Sequence, residues 1–451
     1  MNDSKSHEVA ARGTARCEQA HYSDVEAVYR KIAWRLIPIL ILCYFCAYLD
    51  RSNVGIAKLQ FDSAIGLTEA MYGLGAGLFY LGYSLLEIPS NMMLARIGAR
   101  RTFLRIMVLW SLFSAALAFV ARPSEFYLLR FVIGAAEAGF FPGVLLFLTQ
   151  WVPAAQRARF TAFFMSAMAL SGVIGGPLSA LILHGMRGVA GLDGWQWLFL
   201  IEGLPGVALA IVVFLCLPDR PAQASWLTQG EKQIVHSELE AEAHSKKSVA
   251  HGSLRAALKD AKFYVLASMS AALISGVGAL ALWIPTILRD AGVKALTTIA
   301  MLSAVPYVFA LVIQQFVARR SDVRQERRAH VAVCAALAAI GWLLVPLTAG
   351  HPWLTLMVLT IVAAGTFGAT GPFWSMPAAY LSGSGAAAGI AAITTCGGIA
   401  GFVSPIIAGW LATQAGSTLF ATAYYGGLML LAGILVWFGT KPGSVSANAA
   451  H

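Results

Sequence analysis

The sequence predicts an all-α membrane protein with twelve transmembrane helices, arranged as two pseudo-symmetric bundles of six. The first observation behind this prediction is composition: of 451 residues, 58% are hydrophobic and only 12% are charged, with a mean hydropathy of +0.70. A soluble protein carries about 25% charged residues. The second is that long apolar runs recur along the chain without the alternating short strands of a membrane β-barrel. The third is the distribution of basic residues between the runs.

Each apolar run reaches the roughly 20 residues that a helix needs to cross a bilayer. Lipid leaves no water for unpaired backbone groups, so runs of this length are predicted to be helices. We place the twelve spans at 33–57, 71–95, 102–121, 125–151, 159–185, 196–217, 263–289, 297–318, 329–349, 353–381, 386–412 and 418–440.

The loops after spans 2, 4, 6 and 8 carry clusters of arginine and lysine, whereas the loops on the opposite side carry few. Because basic loops stay in the cytoplasm, both termini are predicted to be cytoplasmic in a multi-pass protein of the inner membrane. The net charge of +10 then reflects topology, and no nucleic-acid partner is expected.

One long polar segment separates the spans into six and six, and the arginine-rich turn after span 2 recurs after span 8. Two copies of a six-helix unit joined by a cytoplasmic linker are typical of secondary transporters, whose substrate site lies near the midplane between the halves. The predicted units are a cytoplasmic tail 1–30, a first bundle 31–217, a linker 218–262, a second bundle 263–440 and a cytoplasmic tail 441–451.

Four charged residues interrupt the predicted spans: Asp50 and Arg51 in span 1, Arg130 and Glu137 in span 4. Each charge at a helix centre costs about 2.5–3.5 kcal/mol on insertion scales, so it needs a partner, a cavity or a function. The side chains of Asp50 and Arg51 point about 100° apart on a helix. In one possible arrangement Asp50 faces another helix and Arg51 faces a cavity. Arg130 and Glu137 share one face.

These four charges have two interpretations. Intramembrane carboxylates are typical of proton relays, and paired arginines suit a carboxylate ligand because guanidinium binds it in a bidentate manner. The alternative is a fixed set of ion pairs that holds spans 1 and 4 together. Weaker candidate binding residues are Tyr80, Tyr83, Trp374 and Ser375.

No phosphate-binding loop, zinc-binding helix or nucleophile elbow occurs in the sequence, so we expect no cofactor, no metal and no enzymatic activity. The Cys43–Cys46 pair is interpreted as two small apolar side chains in a helix.

Several motifs together give the chain a resemblance to the anion:cation symporter family of the major facilitator superfamily. They lie at residues 48–53, 87–91, 96–101, 130–131, 137–143, 194–206, 217–221 and 283–286. Their order and spacing, with the matching span pattern, extend the resemblance over nearly all of residues 30–440.

The resemblance implies the major facilitator fold, alternating access and proton-coupled import of a small organic anion by a monomer. By motif it implies protonation at Asp50 and Glu137, carboxylate binding by Arg51 and organisation of this region by Arg130. Family substrates include sugar acids, tartrate-like dicarboxylates and aromatic acids. In sugar-acid members, positions that resemble Tyr83 and Trp374 contact substrate.

Two departures from the family pattern modify these expectations. The superfamily gating motif after span 2, which contains Arg96 and Arg100, lacks its acidic residue, so its latch is expected to be weakened or replaced by Glu87. The counterpart after span 8 keeps Asp322. In span 11 a frequent asparagine is absent from 395–398, which favours a dicarboxylate or an aromatic acid over a sugar acid.

Two other functions remain open at this point: an organic-anion exchanger or exporter, and an anion-binding membrane sensor. Transport without a proton gradient would favour the exchanger. The linker is short for a signalling domain, which disfavours the sensor.

Overall fold

The chain is almost wholly helical in a computed structural model, which describes residues 3–247, 260–324, 326–380 and 385–440. In this part of the chain no strand occurs. The longer helices, α1 to α15 in chain order, are Asp3–Ile65, Glu69–Ile97, Ala99–Ala116, Pro123–Glu137, Phe140–Thr149, Ala154–Gly185, Gly194–Gly203, Pro205–Cys216, Gln229–Lys247, Ala261–Asp290, Leu296–Arg324, Arg328–Leu344, Pro352–Tyr380, Gly385–Ala415 and Thr418–Gly439.

Eleven of the twelve predicted spans are long and apolar enough to cross a membrane within the described residues, and α2 is the one that is less apolar. Its 29 residues extend over about 43 Å, more than the roughly 30 Å of a bilayer core. Glycine and tyrosine lower its hydropathy, and many of them are buried because α2 packs against α4 and α14. The all-α membrane fold of two six-helix bundles is confirmed.

The two bundles meet through two equivalent pairs of helices. In the first pair, α2, the second span of the first half, packs along α14, the fifth span of the second half. In the other pair, α11, the second span of the second half, packs along α6, the fifth span of the first half. This exchange of second and fifth spans follows the pseudo-symmetry that the arginine-rich turns indicate. A smaller contact joins α1 to α10.

Glycines bring these helices together at the end of the bundle where α2 begins, which we call the Glu69 end. A Cβ atom at Gly73 would overlap the backbone of Pro405, and one at Gly176 would overlap the backbone of Ala300. Small residues allow membrane helices this close approach. The two halves are therefore closed against each other at the Glu69 end.

Spans 4 and 6, predicted as continuous helices, are each broken. Span 4 divides into α4 and α5 directly after Glu137, where Gly139 has φ +86°. A left-handed conformation favours glycine, and a Cβ there would lie 2.6 Å from the Cβ of Ser90. Span 6 divides at Pro205, which cannot continue the hydrogen-bond ladder.

The linker and the N-terminal tail differ from the solvated segments that the sequence predicts. Helix α1 begins at Asp3, and its residues Val25 and Val28 are buried in the same core as Val235 of α9. Lys31 donates to Glu231 of α9 at 2.8 Å, and this hydrogen bond lowers the pKa of the Glu231 carboxyl. The described part of the linker therefore packs on the first half. Residues 248–259 and the tail 441–451 lie outside the described residues.

The left-handed break after Glu137 gives a first prediction. Gly139→Ala should lower the thermal unfolding temperature in detergent, because a side chain in this conformation costs about 1–2 kcal/mol and the overlap with Ser90 adds to that. The matched control is Gly427→Ala in α15, where no atom lies within 4 Å of an added Cβ. Alanine favours a helix over glycine there, so its unfolding temperature should be unchanged or raised. Equal unfolding temperatures for the two variants would contradict the argument.

Candidate substrate and proton site

The four intramembrane charges come together on α1 and α4. The guanidinium of Arg51 donates to the carboxylate of Glu137, with 2.5 Å between Nη2 and Oε1. Glu137 is 1% exposed and Arg130, on the same helix, is 2% exposed. The ion pair between Arg51 and Glu137 lies where the membrane offers no water to solvate a lone charge. Each of these two residues therefore stabilises the other in its ionised form.

Asp50 and Arg51, adjacent in sequence, face different surroundings. The Asp50 carboxylate is buried and accepts a hydrogen bond from the Ser114 hydroxyl of α3 at 3.1 Å. Arg51 lines a small cavity between the two halves. Asp50 is thus directed into the first bundle, while Arg51 is directed towards the interface between the bundles.

The central cavity at this interface has two unlike walls. The first half contributes Arg51 and Arg130 with the aromatic side chains of Tyr48, Phe79 and Tyr80. Among the described residues, the second half contributes only apolar side chains and a glycine, all from α10: Val277, Gly278, Ala281 and Leu282.

The cavity volume is about 20 Å³, which is room for about one water molecule. An organic anion therefore requires the halves to separate further than they do in this conformation.

Aromatic rings surround the Arg51 guanidinium. Its central carbon lies 4.8 Å from the centre of the Tyr48 ring, 5.0 Å from Phe79 and 5.4 Å from Tyr83. The central carbon of the Arg130 guanidinium lies 4.8 Å from the centre of the same Phe79 ring, so this ring contacts both cations. Rings at these distances stabilise a guanidinium by cation–π attraction and hold its plane in one orientation.

The structure brings Tyr80 and Tyr83 to this site but not Ser375. The Ser375 hydroxyl donates to Gly371 of its own helix at 3.2 Å, and its carbonyl accepts from Arg327 in the basic loop after α11. Trp374 packs edge-on against Phe373 and is not among the residues that line the cavity. The substrate contact of Trp374 therefore stays a prediction for another conformation.

The predicted gating residues lie at the end of the bundle opposite the Glu69 end. Arg100 donates to the Phe214 carbonyl at 2.7 Å, and its backbone N–H donates to Asp219 at the start of the linker. Asp322 lies 3.8 Å from Arg327. Glu87 forms no ion pair with Arg96 or Arg100 in the described part of the chain, so it does not act as a latch in this conformation.

A second charged group, which begins one residue beyond the predicted span 33–57, closes the Glu69 end. The ammonium of Lys58 is fully buried and donates to Glu69 of α2, and it also donates to Thr286 of α10 at 3.2 Å. Asp62 lies 3.8 Å from Lys58, and Arg289 of α10 lies 3.6 Å from Glu69. We call these five residues the Lys58 cluster; they join the two halves.

Two aromatic rings complete the surroundings of Lys58. Its ammonium lies 4.6 Å from the Tyr72 ring centre and 4.9 Å from that of Trp283, one ring from each half. A charge so enclosed depends on contacts from both halves, so separation of the halves at this end would expose it to water. A single lysine one residue beyond a predicted span gives no sequence signal of this role.

Among the described residues, no group of histidine, cysteine and acidic side chains could hold a metal ion.

Comparison with known proteins identifies the class. Residues 40–405 match the model of the Major Facilitator Superfamily, and the chain belongs to that family. A protein of Agrobacterium vitis named "Putative tartrate transporter" is 42% identical over 95% of each chain. The "Quinolone resistance transporter" of Acinetobacter baumannii is 39% identical over 91% of this chain and 94% of its own.

A solved structure has the same fold. The crystal structure of a D-xylose-proton symporter superposes with a TM-score of 0.71, covering 90% of this chain and 98% of its own, at 15% identity. With the family match and the relatives named above, the chain is a multi-pass membrane transporter of small organic substrates, and not an enzyme.

The Lys58 cluster gives a second prediction. Lys58→Met should open the Glu69 end, because it removes the hydrogen bond from Lys58 to Thr286 that crosses between the halves. A charge-assisted hydrogen bond is worth about 1.5–3 kcal/mol, or about tenfold or more in the ratio of closed to open molecules. Spin labels at the exposed residues Met71 of α2 and Trp410 of α14 should then show an increased population at longer distance.

The control variant is Lys294→Met, which removes an exposed lysine near the same end of the bundle. It should leave the distance distribution as it is in the wild type. An unchanged distribution in Lys58→Met would show that the Lys58 cluster does not hold this end closed.

Proposed function

We propose that this protein imports a small organic anion together with protons, by alternating exposure of the site at Arg51. The observation that carries the proposal is the 2.5 Å ion pair between Arg51 and Glu137, next to a cavity between the two halves. In this arrangement the best carboxylate-binding group of the site is occupied by a carboxylate of the protein itself.

A substrate carboxylate and the Glu137 carboxylate compete for the same guanidinium. When Glu137 takes up a proton it loses its charge, and its attraction for Arg51 falls to that of a neutral hydrogen bond. Arg51 is then free to bind the substrate in a bidentate manner. Proton binding and anion binding are thereby linked, since each favours the state in which the other is bound.

The charges of the site support the same coupling. With both acids ionised, Arg51 and Arg130 are balanced by Asp50 and Glu137, and an added anion would leave a net negative charge in the membrane. Each proton taken up offsets one negative charge of the substrate. Asp50, held by Ser114 away from the cavity, can supply a second protonation site for a dianion.

The basic loops predict how the site is oriented in the membrane. If these loops are cytoplasmic, the Glu69 end faces outside, and the conformation described here is closed to the outside. The Lys58 cluster must then separate to admit substrate. The proton gradient across an inner membrane favours protonation of Glu137 while the site is open to the outside and deprotonation after it opens inwards.

The apolar wall of the cavity supports a substrate class. Val277, Ala281 and Leu282 offer no hydrogen bonds to sugar hydroxyls, and buried hydroxyls without partners are costly. A dicarboxylate bound between Arg51 and Arg130, or an aromatic acid against the rings of Tyr48 and Tyr80, suits these walls. The similarity to the "Putative tartrate transporter" agrees with a carboxylate substrate.

Export or exchange is the second candidate, favoured by the similarity to the "Quinolone resistance transporter". It uses the same site, since a second anion can replace the first on Arg51 and be carried in the opposite direction. Proteoliposomes with a defined proton gradient distinguish the two: import requires that substrate and protons move in the same direction.

Glu137→Gln tests the coupling. We expect this variant to lose gradient-driven accumulation of tartrate or phthalate, because the amide cannot release a proton, while counterflow exchange persists because a neutral side chain leaves Arg51 free. The matched control is Glu202→Gln, another buried acid, whose carboxylate accepts from Ser179 at 2.9 Å. Gradient-driven accumulation at the wild-type level in Glu137→Gln would refute proton coupling at this residue.

Arg51→Lys tests the recognition of the carboxylate. A lysine keeps the charge but cannot form the bidentate pair or the same ring contacts, so we expect KM for the acid to rise by about tenfold or more while the protein still folds. Counterflow measurements over a range of substrate concentrations give this value. An unchanged KM would place the anion elsewhere than on Arg51.

A further inference from the structure

A groove on the outer surface of the second half lies away from the substrate site. Helices α11 and α12 both pack against α13 but make few contacts with each other among the described residues. They therefore leave a groove between them that has α13 as its floor. Its volume is about 570 Å³, within the range of about 300–1,000 Å³ of small-molecule sites.

Most of the groove is apolar and open to the surroundings of the bundle. Ile313 and Val317 of α11 form one wall, Val333 and Leu337 of α12 the other, and Ile361 belongs to the floor. Val333 is 56% exposed and Leu337 is 47% exposed, although both lie on a transmembrane helix. In a membrane these side chains contact lipid tails.

One end of the groove is strongly basic. Arg320 and Arg324, near the C-terminal end of α11, line it together with His330 of α12. Arg320 and Arg324 are exposed, and neither forms an ion pair with an acidic residue in the described part of the chain. Their long side chains can therefore donate to an anion at the membrane surface.

The acidic side chains nearby are already engaged. Asp322 lies 3.8 Å from Arg327, and Glu326 lies 3.1 Å from the ring of His330. Arg328 donates to the carbonyl of Trp437 and lies over its ring. Within the described residues, Arg320 and Arg324 therefore keep their charge for a ligand of the groove.

We propose that this groove binds one anionic phospholipid, with its phosphate on Arg320 and Arg324 and an acyl chain between α11 and α12. Basic pockets between transmembrane helices at the membrane surface bind anionic headgroups, and guanidinium groups pair with phosphate in a bidentate manner. Along α12, the groove extends from Ala329 to Leu337, about 12 Å, which accommodates the upper part of an acyl chain.

The arrangement of charge and apolar surface favours a lipid over a soluble anion. A soluble phosphate would use the two arginines but leave the apolar walls of Val317, Val333 and Ile361 without a partner. A zwitterionic lipid would fill the walls but bring a cation towards Arg320 and Arg324. The basic end lies at the C-terminal end of α11, next to a loop that is cytoplasmic in the predicted topology, so the lipid belongs to the cytoplasmic leaflet.

The test is a binding titration with two lipids of equal chain length. Dioleoylphosphatidylglycerol or dioleoylphosphatidylcholine is added to the delipidated, full-length protein in detergent, and bound lipid is counted by native mass spectrometry. We expect one molecule of phosphatidylglycerol to bind, with an affinity about tenfold or more above that of phosphatidylcholine. The reason is that the two arginines attract the anionic headgroup. Binding of this lipid should also raise the thermal unfolding temperature.

Two variants locate the site. The double variant Arg320→Gln with Arg324→Gln should lose the preference for phosphatidylglycerol, and Val333→Trp, which fills the groove from an exposed position, should weaken its binding. The matched control removes two exposed arginines outside the groove, Arg101→Gln with Arg319→Gln, and should keep the preference.

Three results would overturn the proposal: equal affinity for the two lipids in the wild type, an unchanged preference in the groove double variant, or a loss of preference of the same size in the control. Equal affinity would show that charge does not select the lipid, and either of the other two results would place the anionic lipid on positive charge outside the groove. None of these results depends on proton coupling or on the identity of the transported anion.

Discussion

The ion pair between Arg51 and Glu137 is the constraint on which the rest of the site depends. Two charges at this depth of a membrane are tolerated only as partners of each other, of surrounding rings or of a ligand. Tyr48, Phe79 and Tyr83 surround the guanidinium, and the end of α4 directly after Glu137 fixes the position of the carboxylate. This local architecture holds the pair at the interface between the halves, which is where a substrate must pass.

Closure of the two halves depends on a different kind of contact. Glycines such as Gly73 and Gly176 let the helices approach closely, and the Lys58 cluster adds charge pairing across the same end. Lys58 keeps its acidic partners Asp62 and Glu69 within the first half, but its contacts with Thr286 and Trp283 require that the halves are closed. We therefore propose two charged elements, one that responds to protons and substrate and one that opens and closes the Glu69 end.

Helix positions and the four central charges could be predicted from the sequence because hydropathy and intramembrane charge depend mainly on local composition. The break at Gly139 could not, since it depends on the close approach of Ser90 from another helix. The role of Lys58 could not be predicted either, because the residue lies just beyond the predicted span 33–57, where a charge usually marks the end of a span. The groove with Arg320 at its end could not be predicted from the sequence, because it arises from the way α11 and α12 pack against α13.

The most direct test of the central claim is to count the protons taken up when the anion binds. The purified protein is titrated with tartrate or phthalate in weakly buffered solution containing a pH indicator, without any membrane or gradient. If Glu137 and the substrate compete for Arg51, binding should be accompanied by proton uptake in the wild type and by less uptake in Glu137→Gln. Saturable anion binding without proton uptake in the wild type would contradict the account, and would leave the Arg51–Glu137 pair as a structural link between α1 and α4.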